Sequence, residues 1–171
     1  HAPGVQLGTR DLLHMGHNIH LAHGKAVKVL RELVPDAKVG ITLATMPQIP
    51  ISKADENAAY DSYFKCDKNS FAWSDAYWAD PIVFGKYPEQ LLKECGDMFP
   101  AFTDDDMKLI SQKIDFLGQN IYQARYFGEW KRPAGTPHTE IGWDTFDDAL
   151  EWGVKHFTKR YKLPIYITEN G

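Results

Sequence analysis

Apolar residues between Asp11 and Val34 recur at steps of three and four positions, which is the spacing of one face of a helix. Pro35 ends this helix because its ring cannot continue the backbone hydrogen bonds. Thr103 has a hydroxyl that can cap a further helix, and the three aspartates after it suit a helix start. Further helices are predicted over residues 53–64, near 89–95, from 103 to 114 and across the apolar positions between 146 and 161.

Short and mostly apolar runs predict three strands, at Lys38–Ala44, Asp115–Tyr122 and Ile165–Thr168. Strands that alternate with helices indicate parallel βαβ units, and near-continuous apolar strands are typical of sheets covered on both faces. Residues 65–102 contain three prolines, so irregular structure is expected there apart from the short helix. Three strands cannot close a barrel, which needs about 250 residues. The pattern therefore predicts a segment of an α/β fold, either a barrel or an open sheet.

Composition excludes several classes of function. The 171 residues carry a formal net charge of −4, so they lack the basic surface that nucleic acids require. No apolar run approaches the ~18 residues of a membrane-spanning helix. Two cysteines without a CxxC motif fit a reducing compartment, and we expect a cytoplasmic protein. Aromatic residues make up 13% of the chain, including five tryptophans, and such rings form surfaces on which carbohydrate stacks.

Both ends of the chain are unusual for a complete protein. The first residue is His1 rather than methionine, and the last residues form a predicted strand that stops at its own tip. No repeat or flexible linker interrupts the sequence between them. We therefore expect residues 1–171 to be an incomplete segment of a single domain.

Polar residues at strand ends are the candidates for chemistry. Glu169 ends an apolar strand, at the edge where parallel α/β folds display catalytic groups. Asn120 and Tyr122 end the preceding strand and, being two apart, share one face. A tyrosine hydroxyl beside a carboxylate can donate to it and hold it ionised. Trp143 follows Gly142 in a polar loop and lines a ligand site or packs under the loop. The alternatives are that Glu169 caps a following helix and that Tyr122 packs at the rim.

Four histidines, at positions 14, 17, 20 and 23, recur every third residue on the first predicted helix. Steps of three move about 60° around a helix each time, so four such side chains cannot converge on one ion. No carboxylate or cysteine completes a ligand set around an adjacent pair. We therefore predict no metal site and expect hydrogen-bonded or solvated histidines. Phosphate-binding glycine loops, GxSxG and HExxH motifs are also missing from the sequence.

The chain resembles glycoside hydrolase family 1, the β-glucosidase and 6-phospho-β-glucosidase family. Each of the motifs is weak by itself, but their order and spacing together are specific, and the last one matches the nucleophile signature of the family. The matching segments are His1-Ala2-Pro3-Gly4, His17-Asn18, residues 22–27, Ala79-Asp80-Pro81, residues 85–88, residues 115–120, Gly142-Trp143 and Ile167-Thr168-Glu169-Asn170-Gly171.

This resemblance implies part of a (β/α)8 TIM barrel, about strands 5 to 7 with flanking helices. It implies a retaining β-glycosidase with Glu169 as nucleophile and Tyr122 as the tyrosine that hydrogen-bonds it. Asn120 would line the same pocket, Trp143 would form a platform on the leaving-group side, and His1 would lie at the pocket entrance. No cofactor is implied. The expected partners are a small glycoside and the remaining segments of the same barrel.

Two departures from the family pattern affect local details. Ile121 replaces a common second aromatic residue, and residues 145–148 replace a common Pro-Glu-Gly-Leu segment. The acid/base glutamate of the family is outside this chain, in an Asn-Glu-Pro motif expected shortly before His1. The alternative hypothesis is therefore a non-catalytic homologue, or a folding fragment that binds sugar or a partner chain.

Overall fold

The computed structural model of the chain describes residues 4–128 and 134–170. The helices are α1 (Thr9–Leu33), α2 (Glu56–Tyr63), α3 (Asp75–Phe84), α4 (Glu89–Cys95), α5 (Asp104–Ile110) and α6 (Ala149–Tyr161). The strands are β1 (Gly40–Thr45), β2 (Gln48–Ile49), β3 (Phe116–Ile121), β4 (Arg125–Tyr126) and β5 (Ile165–Asn170). None of the helices in the described ranges has the length and apolar character needed to cross a membrane.

The chain divides into two compact units, which are His1–Ala37 with Lys65–Lys113 and Lys38–Phe64 with Ile114–Gly171. The first unit is helical and contains α1, α3, α4 and α5. Its long helix α1 approaches α5 closely at Gly24, where an added Cβ would lie 2.1 Å from the Leu109 carbonyl oxygen. Only glycine permits this approach, because the obstructing atom belongs to the backbone.

A buried tyrosine joins two histidines of α1. The Tyr87 hydroxyl lies 2.8 Å from His17 Nδ1 and 3.1 Å from His20 Nδ1, and His20 Nε2 lies 3.2 Å from the Trp78 carbonyl. Because a carbonyl only accepts, His20 carries its proton on Nε2 and accepts the Tyr87 hydrogen at Nδ1. His17 then donates to the Tyr87 oxygen. The expectation of hydrogen-bonded histidines is confirmed for this pair.

The second unit is built on a parallel sheet with the strand order β1-β3-β5, beside a small parallel pair formed by β2 and β4. The three larger strands are those predicted from sequence, and their parallel pairing confirms the βαβ prediction. Helix α6 lies between β3 and β5 in the chain and packs against β3. An added Cβ at Gly153 of α6 would lie 2.5 Å from Ile121 Cδ1, so this helix lies close to the sheet.

The strands of the sheet differ in burial. Leu117, Gln119 and Ile121 of β3 are fully buried, and the Gln119 amide lies 3.4 Å from the Gly153 carbonyl on α6. On β5, by contrast, Tyr166 is 57% exposed and Ile167 is 41% exposed. Among the described residues, β5 is therefore not covered on both faces. Helical cover is in place behind β3, and the described residues leave most of β5 open.

Several element boundaries differ from the predicted ones. Helix α3 was not predicted, because its buried residues surround the helix without an amphipathic period and Pro81 lies inside it. The helix after Thr103 has the predicted cap but ends at Ile110, where the Ser111 hydroxyl donates to the Met107 carbonyl. Helix α6 begins at Ala149 rather than near residue 146, and β2 and β4 are too short to show a period.

Candidate functional site

The carboxyl ends of β3 and β5 lie side by side because the two strands run parallel. Asn120 pairs with Glu169 across the sheet, and Ile121 pairs with Asn170, after a register shift between Gln119 and Asn120. Glu169 therefore lies within β5, next to Asn120, instead of after the strand as the predicted boundary had it. Two of the residues selected from sequence are brought together at this edge.

Two side-chain hydrogen bonds join the strand ends. The Thr168 hydroxyl donates to Asn120 Oδ1 at 2.6 Å, and Asn170 Nδ2 donates to the Ile121 carbonyl at 2.8 Å. Sequence reasoning did not select Thr168 or Asn170 for a role. The available signal was that polar residues flank Glu169 on both sides in an otherwise apolar strand.

Tyr122 and Trp143 form a second part of the site. Their rings meet edge to face, with 5.6 Å between centroids and 62° between planes. Tyr122 follows β3 directly, whereas Trp143 is 40% exposed in the loop that precedes α6. The structure therefore places an aromatic pair beside the end of β3, in an arrangement that favours ring contact.

A tight turn holds Trp143 in place. The Gly142 amide donates to the Thr139 carbonyl at 2.8 Å, and the Thr139 and Trp143 backbones are joined by a further bond of 2.8 Å. Gly142 has φ +83°, a conformation that other residues rarely adopt. His138 Nδ1 lies 2.8 Å from Asp144 Oδ1 and closes the base of the turn. These bonds give Trp143 a defined position although it lies in a loop.

A cleft of about 180 Å³ opens where β3 ends and α6 begins. Tyr122 and Asn170 line it, and so do Thr145, Phe146 and Asp147. The last three residues were missed by sequence reasoning, which noted residues 145–148 only as a departure from the family pattern. The cleft thus joins the loop after Trp143 to the tip of β5.

Two of the expected features have no direct counterpart in the described residues. At the tips of β3 and β5, no hydrogen bond joins the Tyr122 hydroxyl to the Glu169 carboxylate; the bonds there are those of Thr168 and Asn170. The Tyr122–Glu169 bond stays a prediction. His1, expected at the pocket entrance, lies outside the described residues. Among residues 4–128 and 134–170, no group of histidine, cysteine or acidic side chains could hold a metal ion.

The parallel sheet with a carboxylate at its carboxyl edge is the arrangement of α/β enzymes whose sites form at strand ends. Comparison with known families identifies the class of protein, because residues 1–171 match the profile of Glycosyl hydrolase family 1. The chain belongs to this family, and it corresponds to part of an α/β barrel.

Named relatives match over the whole chain. It is 33% identical to a β-glucosidase from an Agrobacterium species and 33% identical to β-glucosidase A from Acetivibrio thermocellus, covering 39% and 40% of their lengths. The structure of the virulence factor SghA from Agrobacterium tumefaciens matches 100% of the chain with a TM-score of 0.79 and 32% identity, and the match covers 39% of SghA. A family 1 β-glucosidase from Thermotoga maritima matches with a TM-score of 0.76 at 31% identity, over 100% of this chain and 39% of that one. The chain thus spans about two fifths of the length of these relatives.

Proposed function

We propose that this chain is the part of a retaining β-glycosidase that carries the catalytic nucleophile, Glu169. The observation that supports the proposal most directly is the pairing of Glu169 with Asn120 at the carboxyl edge of a parallel sheet. Membership of a family whose matched relatives are named β-glucosidases gives the reaction class. The substrate is then a β-linked glycoside, with a glucoside as the first candidate.

The reaction proceeds in two displacements. Glu169 attacks the anomeric carbon and forms a glycosyl-enzyme, while the bond to the leaving oxygen breaks. A second carboxylic acid, supplied from outside this chain, protonates that oxygen and then deprotonates the water that releases the sugar. Retaining glycosidases hold these two carboxyl groups about 5–5.5 Å apart. No metal or organic cofactor takes part in this chemistry.

The neighbouring side chains have separate roles in this proposal. The Tyr122 hydroxyl donates to the Glu169 carboxylate when a sugar is bound, which orients the nucleophile and favours its charged form. Asn120 lines the sugar pocket, and His1 lies at its entrance. Trp143 presents its ring to the leaving group, and its contact with Tyr122 supports a continuous wall from the nucleophile to the aglycone side.

The rest of the protein is also part of the proposal. Strands β1 and β5 are the outer strands of the sheet in the described residues, and further segments of the same barrel would pair with them. The two thiols, at Cys66 and Cys95, are buried and unpaired. This supports a reducing location such as the cytoplasm.

The proposal is tested by covalent labelling of the full-length enzyme with a 2-deoxy-2-fluoro-β-glucoside that has a good leaving group. Such a probe is attacked by the nucleophile but released slowly, so digestion and mass spectrometry identify the labelled residue. We expect the label on Glu169 and no labelling of the Glu169→Gln variant. The Glu89→Gln variant is the matched control, because Glu89 lies in the first turn of α4 and should label normally. A label on any other residue would contradict the proposal, and no labelling at all would favour a non-catalytic homologue.

A further inference from the structure

The hydrogen bonds that tie the tip of β5 to β3 come from the residues on either side of Glu169. Thr168 precedes it and donates to Asn120 Oδ1 at 2.6 Å, while Asn170 follows it and donates to the Ile121 carbonyl at 2.8 Å. Both acceptors belong to the last two residues of β3. The backbone of Glu169 is therefore held between two attachments to one neighbouring strand.

A break in the strand register makes this arrangement possible. The pairing of β5 with β3 shifts between Gln119 and Asn120, so that Asn120 faces Glu169. A shift of this kind leaves one residue of the bulged strand without a backbone pairing partner. In β5 that residue is Thr168. The Thr168 hydroxyl donates a hydrogen bond to the Asn120 side chain from this position.

Gly118 provides the space for Thr168 on this face of the sheet. A Cβ added at Gly118 would lie 3.1 Å from Thr168 Cγ2 and 2.3 Å from Thr42 Oγ1. Gly118 and Asn120 are two residues apart on β3, so both belong to the same face. Thr168 thus lies over Gly118 and beside the Asn120 amide, and a larger residue at Gly118 would displace it.

We propose that Thr168 and Asn170 are positioning residues that set the location of the Glu169 carboxylate, and that Thr168 also sets the orientation of the Asn120 amide. The inference rests on the proposed role of Glu169 as nucleophile. Since Asn120 Oδ1 accepts from Thr168, the amide nitrogen is left to donate toward a neighbouring carboxylate. Without this bond the amide can rotate by half a turn and present its acceptor instead.

This role predicts a defect in the chemical step rather than in binding. The Thr168 hydroxyl and the Asn170 amide make no contact with the sugar in this proposal, so affinity for the intact glycoside is retained. The attack on the anomeric carbon depends on a near-attack geometry, and a displacement of about 1 Å can cost about 10²-fold in rate. The fluoroglucoside probe separates the two quantities, because its inactivation kinetics give a dissociation constant and a first-order rate constant.

The test compares variants of the full-length enzyme with this probe. In Thr168→Val, which keeps the shape and removes the donor, we expect the first-order inactivation constant to fall about 10- to 100-fold with the probe's dissociation constant changed less than about twofold. Thr168→Ser restores the hydroxyl and should restore most of the rate. Thr42→Val is the matched control, because it removes a threonine hydroxyl from the same sheet face on the outer strand β1, and it should inactivate like the unmodified enzyme.

A second variant covers the case in which Thr168→Val does not fold. Asn170→Asp keeps the size of the side chain but places an oxygen against the Ile121 carbonyl, and we expect a loss of the inactivation rate similar to that of Thr168→Val. Rates equal to the unmodified enzyme in either folded variant, with the label still on Glu169, would overturn the positioning role and leave the proposed function intact. A weaker dissociation constant with an unchanged rate constant, or a failure of Thr168→Ser to restore the rate, would also overturn it. A label on another residue in the unmodified enzyme would instead refute the proposed function.

Discussion

The ring of Trp143 meets the ring of Tyr122 edge to face at 5.6 Å, although 20 residues separate the two in the chain. The contact links the loop that precedes α6 to the end of β3. It places the tyrosine, which is proposed to orient the nucleophile, in contact with the tryptophan that is proposed to receive the leaving group. A substitution of either ring should therefore alter the packing of the other. The two substitutions should nevertheless differ in their effects on the kinetics.

Removing the Tyr122 hydroxyl should lower the rate while leaving the fold intact. In Tyr122→Phe the ring remains to pack against Trp143, but the proposed hydrogen bond to Glu169 is lost. A hydrogen bond to a charged group contributes about 1.5–3 kcal/mol, so kcat/KM should fall about 10- to 100-fold. Steady-state kinetics on an aryl β-glucoside measure this, with Tyr60→Phe on α2 as the control. Unchanged kinetics would remove Tyr122 from the site.

Truncating Trp143 should change the preference for leaving groups. Trp143→Ala removes a ring that is 40% exposed and that touches Tyr122 by its edge, so the loss of kcat/KM should grow with the size and aromatic character of the aglycone. A series of β-glucosides with one sugar and different leaving groups measures this trend. Trp73→Ala is the control, since Trp73 is 84% exposed in the first unit. An equal loss on every substrate would indicate a structural role for Trp143.

The sequence predicts the sheet better than it predicts the contacts of the site. β1, β3 and β5 are found because each is a short apolar run that follows a helix, and Glu169 is found because a carboxylate at the end of such a run is unusual. The bonds of Thr168 and Asn170 depend on the register between two strands, and the shift at Gln119 and Asn120 is not visible in either strand alone.

Two further features that the sequence did not predict have a similar physical origin. The approach of Trp143 to Tyr122 is set by a glycine turn and a hydrogen-bonded loop, which no periodic pattern encodes. Helix α3 was missed because it is buried on several sides, with Tyr77, Ala79 and Ile82 almost inaccessible, so that it lacks the polar face that reveals a surface helix.

The histidine pair on α1 predicts a loss of stability in mild acid. Burial lowers the pKa of His20 to about 4 and also lowers that of His17. The unfolded chain therefore binds more protons than the folded chain below about pH 6.5. The contribution of the neutral His20 is present above the ordinary histidine pKa and is lost as the pH falls toward about 4. Protonation at Nδ1 would also remove the acceptor that Tyr87 uses.

Denaturant unfolding of the full-length protein between pH 7.5 and 4.5 would measure this effect (~2 kcal/mol across the range). His20→Gln should be less stable at pH 7 and should show a flatter pH dependence, because the titrating group is gone. His14→Gln is the control, since His14 is exposed on the same helix, and this variant should keep a steeper pH dependence than His20→Gln. Equal slopes in the His20→Gln and unmodified proteins would contradict the assignment.

Residues 1–171 expressed alone should neither form a cooperative fold in the second unit nor hydrolyse glycosides. In the described residues β1 and β5 have unpaired edges, and exposed Tyr166 and Ile167 on β5 would favour association between copies. The net stability of a domain is only about 5–15 kcal/mol, and a barrel whose interior lacks most of its layers should lose more than this margin.

Chemistry fails for a separate reason, because Glu169 would have to expel an unprotonated leaving group without the acid from outside the chain. Positioned proton transfer of this kind contributes about 10²–10⁴-fold. Thermal unfolding and turnover of p-nitrophenyl β-glucoside would be recorded for the chain alone and after mixing with the segments that complete the barrel. A cooperative transition with turnover above background in the isolated chain would contradict the requirement for a second carboxyl group, whereas activity that appears only on mixing would support it.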